Sequence, residues 1–360
     1  AGAMGIWASD FLVSAIDDCS DVVKYSINIS GQPVDENQDG LVLTCDELGT
    51  VIVEIHAWDG AGNNDFCETY VLVQDNMFGL CTGNAGIAGA VQTESDLGVE
   101  DVEVSLSGNA SVTNTTDADG GYSFSNLEPG YDYTVTPGLN TNHFNGVSTF
   151  DLVLISKHIL GVTALNSPYK MIAADANNSG TITTLDLIQA RKGILGITDE
   201  FPNNTSWRFV DADYAFPDPT NPWAEDFPEV INYNDLSADQ LTTDFVAVKI
   251  GDVNGSAAVS SLQSTDDRNV NGVFSIEVAD EQLRAGEEYT VAFTAADLAA
   301  VQGYQFTLDV DVNAVELVDI VYGAAREEHF GLRFVDEGMI TTSWNGEPTS
   351  DILFSLVLRT

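Results

Sequence analysis

Short apolar runs separated by turn residues make up the beginning and the end of the chain. In each run apolar and polar residues alternate, and Gly, Asn and Asp cluster between the runs. This alternation is typical of strands with one buried face, and the short spacing favours antiparallel sandwiches. We therefore predict a mostly β chain of serial β-sandwich modules, with strands in residues 22–29, 51–58, 70–73, 98–106, 116–124, 127–135, 272–278, 289–293 and 303–310.

An internal repeat occupies the middle of the chain. Residues 140–162 align without gaps on residues 175–197, and Thr, Asp, Leu, Lys, Ile and Gly recur at matching positions. In each copy a polar loop precedes a segment with apolar residues at helical spacing, and a glycine follows as the C-cap. We predict one small α-helical repeat domain within the β chain.

These patterns divide the chain into four modules and a linker. The linker is rich in Ser, Ala, Asp and Gln and shows no periodicity. The last module ends within a predicted strand, so we expect the chain to be part of a longer protein. The predicted boundaries are residues 1–82 and 83–138 for two sandwiches, 139–257 for the repeat with an aromatic extension, 258–270 for the linker and 271–360 for an incomplete sandwich.

The second copy of the repeat contains a loop with the spacing of a calcium site. Its oxygen-bearing residues stand at the ligand positions of an EF-hand-type loop, and Gly180 at position 6 permits the sharp turn. Position 12 is an Asp, and one helix follows the loop. We predict that calcium is bound by Asp175, Asn177, Ser179, Thr181, Thr183 and Asp186, with the residue at position 7 offering its carbonyl. The alternative is an Asn-rich turn that caps a helix.

The first copy of the loop is degenerate. Phe144 stands at position 5 and an uncharged amide at position 1, so fewer charged ligands are available. A cation could still be held there if Asp252 or Asn254 folds back to complete the site. The predicted ligands from the first copy are Asn140, Asn142, Gly146, Ser148 and Asp151.

A third loop near the N-terminus has part of the same spacing. Its candidate ligands are Asp35, Asn37, Asp39 and Asp46. This loop leads into a strand instead of a helix, and Asp, Asn and Gly also favour turns for local reasons. A solvated hairpin is therefore the competing interpretation.

The charge of the chain excludes several functions. Twelve Lys and Arg residues stand against 56 Asp and Glu residues, which gives a formal net charge of −44. Nucleic-acid binding needs clustered basic residues, so it is excluded. Hydrophobic residues make up 44% of the chain, which is enough to fill cores and excludes overall disorder. The expected partners of this surface are cations, although a high charge also simply keeps proteins soluble.

Membrane-spanning and catalytic patterns are missing from the sequence. No run of 18 apolar residues is present, so we expect no membrane span. There is also no zinc-protease, serine-hydrolase or Walker motif, and the four histidines are scattered over separate modules. We do not expect an enzyme.

All four cysteines lie in the first quarter of the chain. An even number of cysteines within one β-rich segment, without a metal-type C-x-x-C pair, predicts a framework of two disulfides in an oxidising, extracellular setting. Three connectivities are open to Cys19, Cys45, Cys67 and Cys81.

Several segments resemble known modules of secreted proteins. Asp18-Cys19, with Ala57-Trp58-Asp59-Gly60-Ala61-Gly62-Asn63 and Cys67, resembles HYR-like immunoglobulin-type modules, and this resemblance implies the pairs Cys19–Cys67 and Cys45–Cys81. Residues 98–135 resemble carboxypeptidase-regulatory-like and B-type repeats. The calcium loop with its tandem copy resembles type I dockerin domains, and residues 286–308 resemble the opening half of a cohesin-like jelly roll.

The combination resembles long secreted surface proteins of the Bacteroidetes type. It implies a calcium-binding structural or adhesive protein at the cell surface that forms rods or filaments with neighbouring modules or copies of itself. One alternative is anchoring, in which the dockerin-like helices bind a cohesin on another protein. Another is an accessory region of a carbohydrate-active enzyme, with a carbohydrate surface as partner.

Exposure of the helix face distinguishes anchoring from structural use. An anchoring module must expose this face, whereas a structural module buries it against a neighbour. We expect burial, because an aromatic extension follows the repeat and could cover the face with Trp207, Phe209, Tyr214, Phe216 and Trp223.

Overall fold

The structure is a computed structural model that describes residues 3–12, 24–74, 84–261 and 273–360. Within these ranges the chain forms six β-sheets and three α-helices. The predicted fold class, serial β-sandwich modules with one small helical repeat, is confirmed. None of the helices in these ranges is long and apolar enough to cross a membrane.

The N-terminal module is a sandwich of a two-stranded and a three-stranded sheet. Its strands are β1 (Ala3–Trp7), β2 (Lys24–Ile29), β3 (Gly40–Thr44), β4 (Gly49–Trp58) and β5 (Asn64–Val73). β1 pairs with β3, and β4 lies between β2 and β5. The core contains Ile6, Ile27, Leu43, Val53 and Ile55. The strands predicted at residues 22–29, 51–58 and 70–73 are present as β2, β4 and β5, whereas β1 and β3 were not predicted.

The second sandwich begins with five strands in sequence. They are β6 (Ala85–Thr93), β7 (Glu103–Gly108), β8 (Val112–Thr115), β9 (Gly121–Leu127) and β10 (Tyr133–Gly138). β7 pairs with both β8 and β10 in one sheet, and β6 pairs with β9 in the other. These five strands leave both sheets incomplete.

Three helices follow β10 and form the repeat: α1 (Thr149–Ile159), α2 (Pro168–Ala174) and α3 (Thr184–Ile194). α1 and α3 begin with equivalent capping boxes, Ser148 with Asp151 and Thr183 with Asp186. Gly161 and Gly196 follow them in the left-handed conformation, with φ of +69° and +68°. The predicted pair of loop–helix units with glycine C-caps is confirmed.

The chain then returns to the second sandwich with β11 (Trp207–Asp211), β12 (Ile231–Tyr233) and β13 (Phe245–Lys249). β12 pairs with β10, while β11 and β13 extend the sheet of β6 and β9. β13 runs parallel to β6. The repeat is therefore inserted between strands of one sandwich, and the predicted boundary between residues 138 and 139 does not separate two independent modules.

Part of the predicted linker also belongs to this sandwich. Val259 is buried in the sandwich core, and its carbonyl oxygen accepts a hydrogen bond from the backbone N–H of Glu100. The aromatic extension is divided between two cores. Trp207 and Phe209 fill the sandwich, whereas Tyr214, Phe216 and Trp223 pack on the core of the repeat.

The C-terminal sandwich has seven described strands in two sheets. They are β14 (Glu277–Val278), β15 (Glu288–Thr294), β16 (Gly303–Asp309), β17 (Glu316–Tyr322), β18 (Phe330–Gly331), β19 (Met339–Asn345) and β20 (Ile352–Arg359). The sheet orders are β14-β15-β20-β17 and β16-β19-β18. The core between the sheets contains stacked aromatic rings, including those of Tyr304, Phe306, Trp344 and Phe354.

The helices α1 and α3 contact the sheet of β16 and β19, and we call this contact the helix–sheet dock. The backbone N–H of Thr149 donates to Gln305 Oε1 at 2.6 Å, and the hydroxyl oxygens of Thr149 and Ser343 lie 2.7 Å apart. From α3, the guanidinium of Arg191 donates to Oδ1 of Asn345 on β19. The part of the helix face around Thr149 and Arg191 is therefore covered, by the C-terminal sandwich and not by the aromatic extension. Phe150, Leu185 and Ile188 of the same helices are exposed, so the expected burial of the face is met only in part.

The cysteines do not follow the predicted pattern. Cys67 is free and exposed on the edge strand β5, so the pairing with Cys19 and the framework of two disulfides are wrong. Cys45 is disulfide-bonded, and its partner lies outside the described residues. Cys19 and Cys81 also lie outside them.

Acid should weaken the C-terminal sandwich through His329. Burial, with help from the positive charges of Arg191 and Arg326, lowers the pKa of His329 from 6.5 to about 4, and the nearby Glu328 acts in the opposite direction. The unfolded chain therefore binds the proton more strongly between these two values, and the stability due to His329 falls as the pH drops below 6.5.

We predict that His329→Gln, which keeps an acceptor for the backbone N–H of Arg326, reduces this acid sensitivity. Between pH 7 and pH 5 the wild type should lose about 2 kcal/mol more than the variant. Calorimetric unfolding at several pH values measures the difference, with the sequence pI of about 4.1 setting a lower limit on usable pH. If the difference in unfolding free energy between wild type and His329→Gln did not change with pH, the prediction would be wrong.

Candidate metal centre

The loop between α2 and α3 folds around the carboxylate of Asp175. This side chain is buried, and its Oδ1 accepts a hydrogen bond from the backbone N–H of Ser179 at 2.9 Å. Its Oδ2 accepts from the N–H of Gly180 at 2.7 Å. Asn178 and Gly180 adopt left-handed backbone conformations, with φ of +56° and +73°, which turns the chain around the carboxylate.

Asp186 closes the loop from the first turn of α3. Its Oδ2 accepts hydrogen bonds from the backbone N–H and the hydroxyl of Thr183, at 2.8 and 3.1 Å. Its Oδ1 accepts from the backbone N–H of Asn177 at 3.1 Å. One fully buried carboxylate thus caps the helix and fixes the beginning of the loop.

The loop has an uncompensated negative charge in its interior. Burial raises the pKa of Asp186, and the charge of Asp175 raises it further against the effect of the hydrogen bonds. The amide oxygen Oδ1 of Asn177 is also buried, and no donor among the described residues lies within hydrogen-bond distance. A cation would neutralise the carboxylates and occupy this free oxygen.

The remaining predicted ligands lie at the outer side of the loop. The hydroxyl of Ser179 donates to the carbonyl oxygen of Thr181 at 3.2 Å, and the two hydroxyl oxygens lie 3.1 Å apart. Nowhere in the described ranges do three or more His, Cys, Asp or Glu side chains come together as a metal site. A cation in this loop would therefore depend on amide, hydroxyl and carbonyl oxygens beside two carboxylates, and calcium accepts such a set.

The beginning of the first loop copy has a structural role. Asn140 Oδ1 accepts a hydrogen bond from the backbone N–H of Ser206 at 2.8 Å, which holds the loop to the start of β11. Asn142 adopts a left-handed conformation, with φ of +49°. The ring of Phe144 packs edge-on against Phe201, with centroids 4.8 Å apart. The residue at position 5 of this loop, Phe144, therefore packs in the core and supplies no oxygen ligand.

The end of the first loop copy meets a segment from much later in the chain. Asp151 Oδ1 accepts hydrogen bonds from the backbone N–H groups of Val253 and Asn254, at 2.9 and 3.2 Å. The segment that contains Asp252 therefore folds back onto the first loop. Burial raises the pKa of Asp151 to about 6, and the nearby charge of Asp252 contributes.

Lys249 is a buried cation that sequence reasoning missed. Its ammonium group donates to the carbonyl oxygens of His143 and Ser206 and lies over the ring of Trp207. Burial lowers its pKa to about 8, although the charge of Asp252 favours the protonated form. The available signal was a lysine at the end of an otherwise apolar strand, three residues before an Asp.

The N-terminal loop does not bring its candidate ligands together. Asp35 Oδ1 accepts from the backbone N–H of Asn37 at 2.9 Å, as in an Asx turn exposed to solvent. Asp39 and Asp46 are separated by the extended strand β3, which spans about 16 Å at about 3.3 Å per residue. This geometry favours the solvated hairpin over a cation loop.

Comparison with known proteins identifies one segment. Residues 87–149 match the model of the SdrD B-like domain. This match agrees with the predicted B-type resemblance and covers β7 to β10, most of β6 and most of the first copy of the loop. It spans less than half of the chain, so it describes this segment alone. Among curated proteins, none is significantly similar to the chain.

A solved structure similar to part of this chain is that of BcpA, the major pilin subunit of Bacillus cereus. It shares 14% sequence identity with this chain over 33% of the chain and 45% of the pilin. The chain thus covers less than half of the pilin, and the TM-score is 0.15. We base no argument on this likeness.

The packing of the Phe144 ring predicts the effect of a substitution in α3. A Cβ atom at Gly193 would lie 1.8 Å from Cε1 of the Phe144 ring. Gly193→Ala should therefore destabilise the repeat by about 1–3 kcal/mol, although alanine is the better helix former. Thermal unfolding measures this change.

Gly138→Ala is the matched control, because a Cβ atom there would lie 3.9 Å from the nearest atom, the carbonyl oxygen of Glu103. Adding Phe144→Leu to Gly193→Ala should recover part of the lost stability. If Gly193→Ala were as stable as wild type, Phe144 would not be packed against α3 as described.

Proposed function

We propose that this chain is a calcium-binding structural segment of an extracellular surface protein. In this proposal the loop of residues 175–186 binds calcium, and the bound ion stabilises the repeat inserted in the second sandwich. The observation that carries the proposal is the buried pair Asp175 and Asp186 beside the free amide oxygen of Asn177.

The chemistry of this loop supports calcium over a purely structural turn. A turn that only caps a helix needs one carboxylate at its end and has no reason to bury a second. Two carboxylates buried in one loop repel each other unless a cation lies between them. Carboxylate, amide and carbonyl oxygens together are typical ligands of calcium.

The proposed location rests on the second sandwich and on the surface charge. The segment of residues 87–149 matches the SdrD B-like domain, and small sandwiches in series suit a structural stalk. The formal net charge of −44 favours a soluble, cation-binding exterior. Secretion, adhesion and assembly into filaments are parts of this proposal.

The helix–sheet dock bears on the alternative function, anchoring to a cohesin on another protein. Thr149 of α1 and Arg191 of α3 are hydrogen-bonded to the C-terminal sandwich of the same chain. A partner that used the docked part of this helix face would first have to displace this sandwich. The dock therefore favours structural use over anchoring.

Removing calcium should destabilise the repeat. A ligand at 100 times its dissociation constant stabilises the folded state by about 2.7 kcal/mol, so a chelator should lower the unfolding temperature. Asp186→Asn should abolish the part of this increment that depends on the loop of residues 175–186, because it removes the charge. The amide oxygen of the variant can replace only one of the two oxygens that accept from Asn177 and Thr183. Calorimetric unfolding with calcium and with chelator measures the increment.

The matched control is Asp218→Asn, because Asp218 is an exposed turn residue whose Oδ1 accepts from the backbone N–H of Thr220. This variant loses the same charge and should keep the full calcium increment. Equal increments in wild type and Asp186→Asn would refute the calcium site.

Structural use predicts end-to-end assembly of native material. Electron microscopy of the protein isolated from its source should show rods or filaments built from serial small domains. Dispersed globules that bind a heterologous cohesin tightly would contradict structural use and favour the anchoring alternative.

A further inference from the structure

The segment after β13 repeats the beginning of the calcium loop. Residues 252–256 read Asp-Val-Asn-Gly-Ser, and residues 175–179 read Asp-Ala-Asn-Asn-Ser. Both segments therefore present a carboxylate, an amide and a hydroxyl at alternate positions. The fourth residue of each, Gly255 and Asn178, adopts a left-handed conformation, with φ of +72° and +56°.

The two segments fold around their first carboxylate in the same way. Asp252 Oδ1 accepts from the backbone N–H of Ser256 at 3.1 Å, as Asp175 Oδ1 accepts from Ser179. Asp252 Oδ2 accepts from the N–H of Ala257 at 2.7 Å, as Asp175 Oδ2 accepts from Gly180.

The rest of this second loop comes from the first repeat copy. Asp151 Oδ1 accepts from the N–H of Asn254, as Asp186 Oδ1 accepts from the N–H of Asn177. Asp151 Oδ2 accepts from the N–H and the hydroxyl of Ser148, as Asp186 Oδ2 accepts from Thr183.

The position 7 carbonyl is also matched. The hydroxyl of Ser256 donates to the carbonyl oxygen of Gly146 at 3.0 Å, and the hydroxyl of Ser179 donates to that of Thr181 at 3.2 Å. Each hydrogen bond of this set in the continuous loop therefore has its equivalent in the divided one.

An independent observation is that the two carboxylates of the divided loop are buried, while the cationic group described near them is the one ammonium of Lys249. Asp151 is 0% exposed and Asp252 is 6% exposed. Among the described residues, neither forms an ion pair with a lysine, arginine or histidine. The nearby ammonium of Lys249 is hydrogen-bonded to backbone carbonyl oxygens instead. One ammonium leaves one of the two negative charges uncompensated, and a bound cation would compensate it.

We propose that these two segments form a second calcium site that is divided between distant parts of the chain. Asp252, Asn254 and Ser256 supply positions 1, 3 and 5, the carbonyl of Gly146 supplies position 7, and Asp151 supplies position 12. Residues 252–256 thus replace the corresponding part of the first repeat copy, Asn140, Asn142 and Phe144. The choice of calcium rests on the proposed function of the continuous loop.

The close approach of the two segments requires glycine at position 146. A Cβ atom there would lie 2.6 Å from the backbone of Ala257 and 2.7 Å from Asp252 Oδ2. Asp151 and Asn254 are 103 positions apart in the sequence. Calcium in the divided site would therefore link the first loop of the repeat to residues 252–256, which follow β13 of the sandwich.

The test is calorimetric titration of the full chain with calcium after treatment with chelator. We expect two calcium ions per chain for wild type and one for Asp252→Asn, with the remaining ion lost when Asp186→Asn is added. Ser256→Ala should weaken one of the two sites at least tenfold without removing a charge. Asp218→Asn is the control and should bind two ions, and circular dichroism in chelator shows whether each variant is folded.

The outcomes separate this inference from the proposed function. One ion per chain that is lost in Asp186→Asn and kept in Asp252→Asn would overturn the divided site and leave the continuous loop intact. One ion that is lost in Asp252→Asn and kept in Asp186→Asn would support the divided site and overturn the continuous one. Absence of calcium binding by the folded wild type would overturn both.

Discussion

The parallel pairing of β13 with β6 is the constraint on which the centre of the molecule depends. Parallel neighbours need a long crossover connection, and here that connection contains the whole helical repeat. Because β13 ends at Lys249, the turn at Gly251 delivers Asp252 directly onto the first loop. A Cβ atom at Gly251 would lie 2.9 Å from Val147, so the turn is also tightly packed. The strand that completes the sandwich, β13, thus also positions Asp252 in the divided loop.

Electrostatics explains why backbone N–H groups are so prominent in both loops. With 12 basic residues against 56 acidic ones, few side chains are available to neutralise a buried carboxylate. Asp175, Asp186, Asp151 and Asp252 are instead surrounded by oriented N–H groups and hydroxyls. These donors stabilise each carboxylate locally, but they carry no net charge. In the proposed calcium sites a bound cation would remove the repulsion within each pair, so ion binding and folding of the repeat would be coupled.

Local patterns in the sequence predicted nine of the described strands, the capped helices α1 and α3 and the continuous loop, because these features depend on residues close together in the chain. The assignment of β11, β12 and β13 to the second sandwich was not predictable in this way. Alternation shows that Phe245–Lys249 can form a strand, but it does not specify β6 as the partner. Alignment of the two repeat copies likewise placed Asn140 and Asn142 at ligand positions. Their replacement by residues 252–256 depends on a contact between distant segments, and the motif Asp-x-Asn-x-Ser was its one visible signal.

The helix–sheet dock limits how the outer face of the repeat can be used. Its contacts are largely polar, as in inter-domain interfaces that can separate in water. Each side also has its own core, so separation would not expose a shared apolar interior. A tethered partner, however, is present at a millimolar effective concentration, and a competitor in solution must exceed this to displace it. A polar interface can separate, but the tether makes occupation by the chain's own sandwich the ground state. A competing partner is therefore at a disadvantage at the docked part of the helix face.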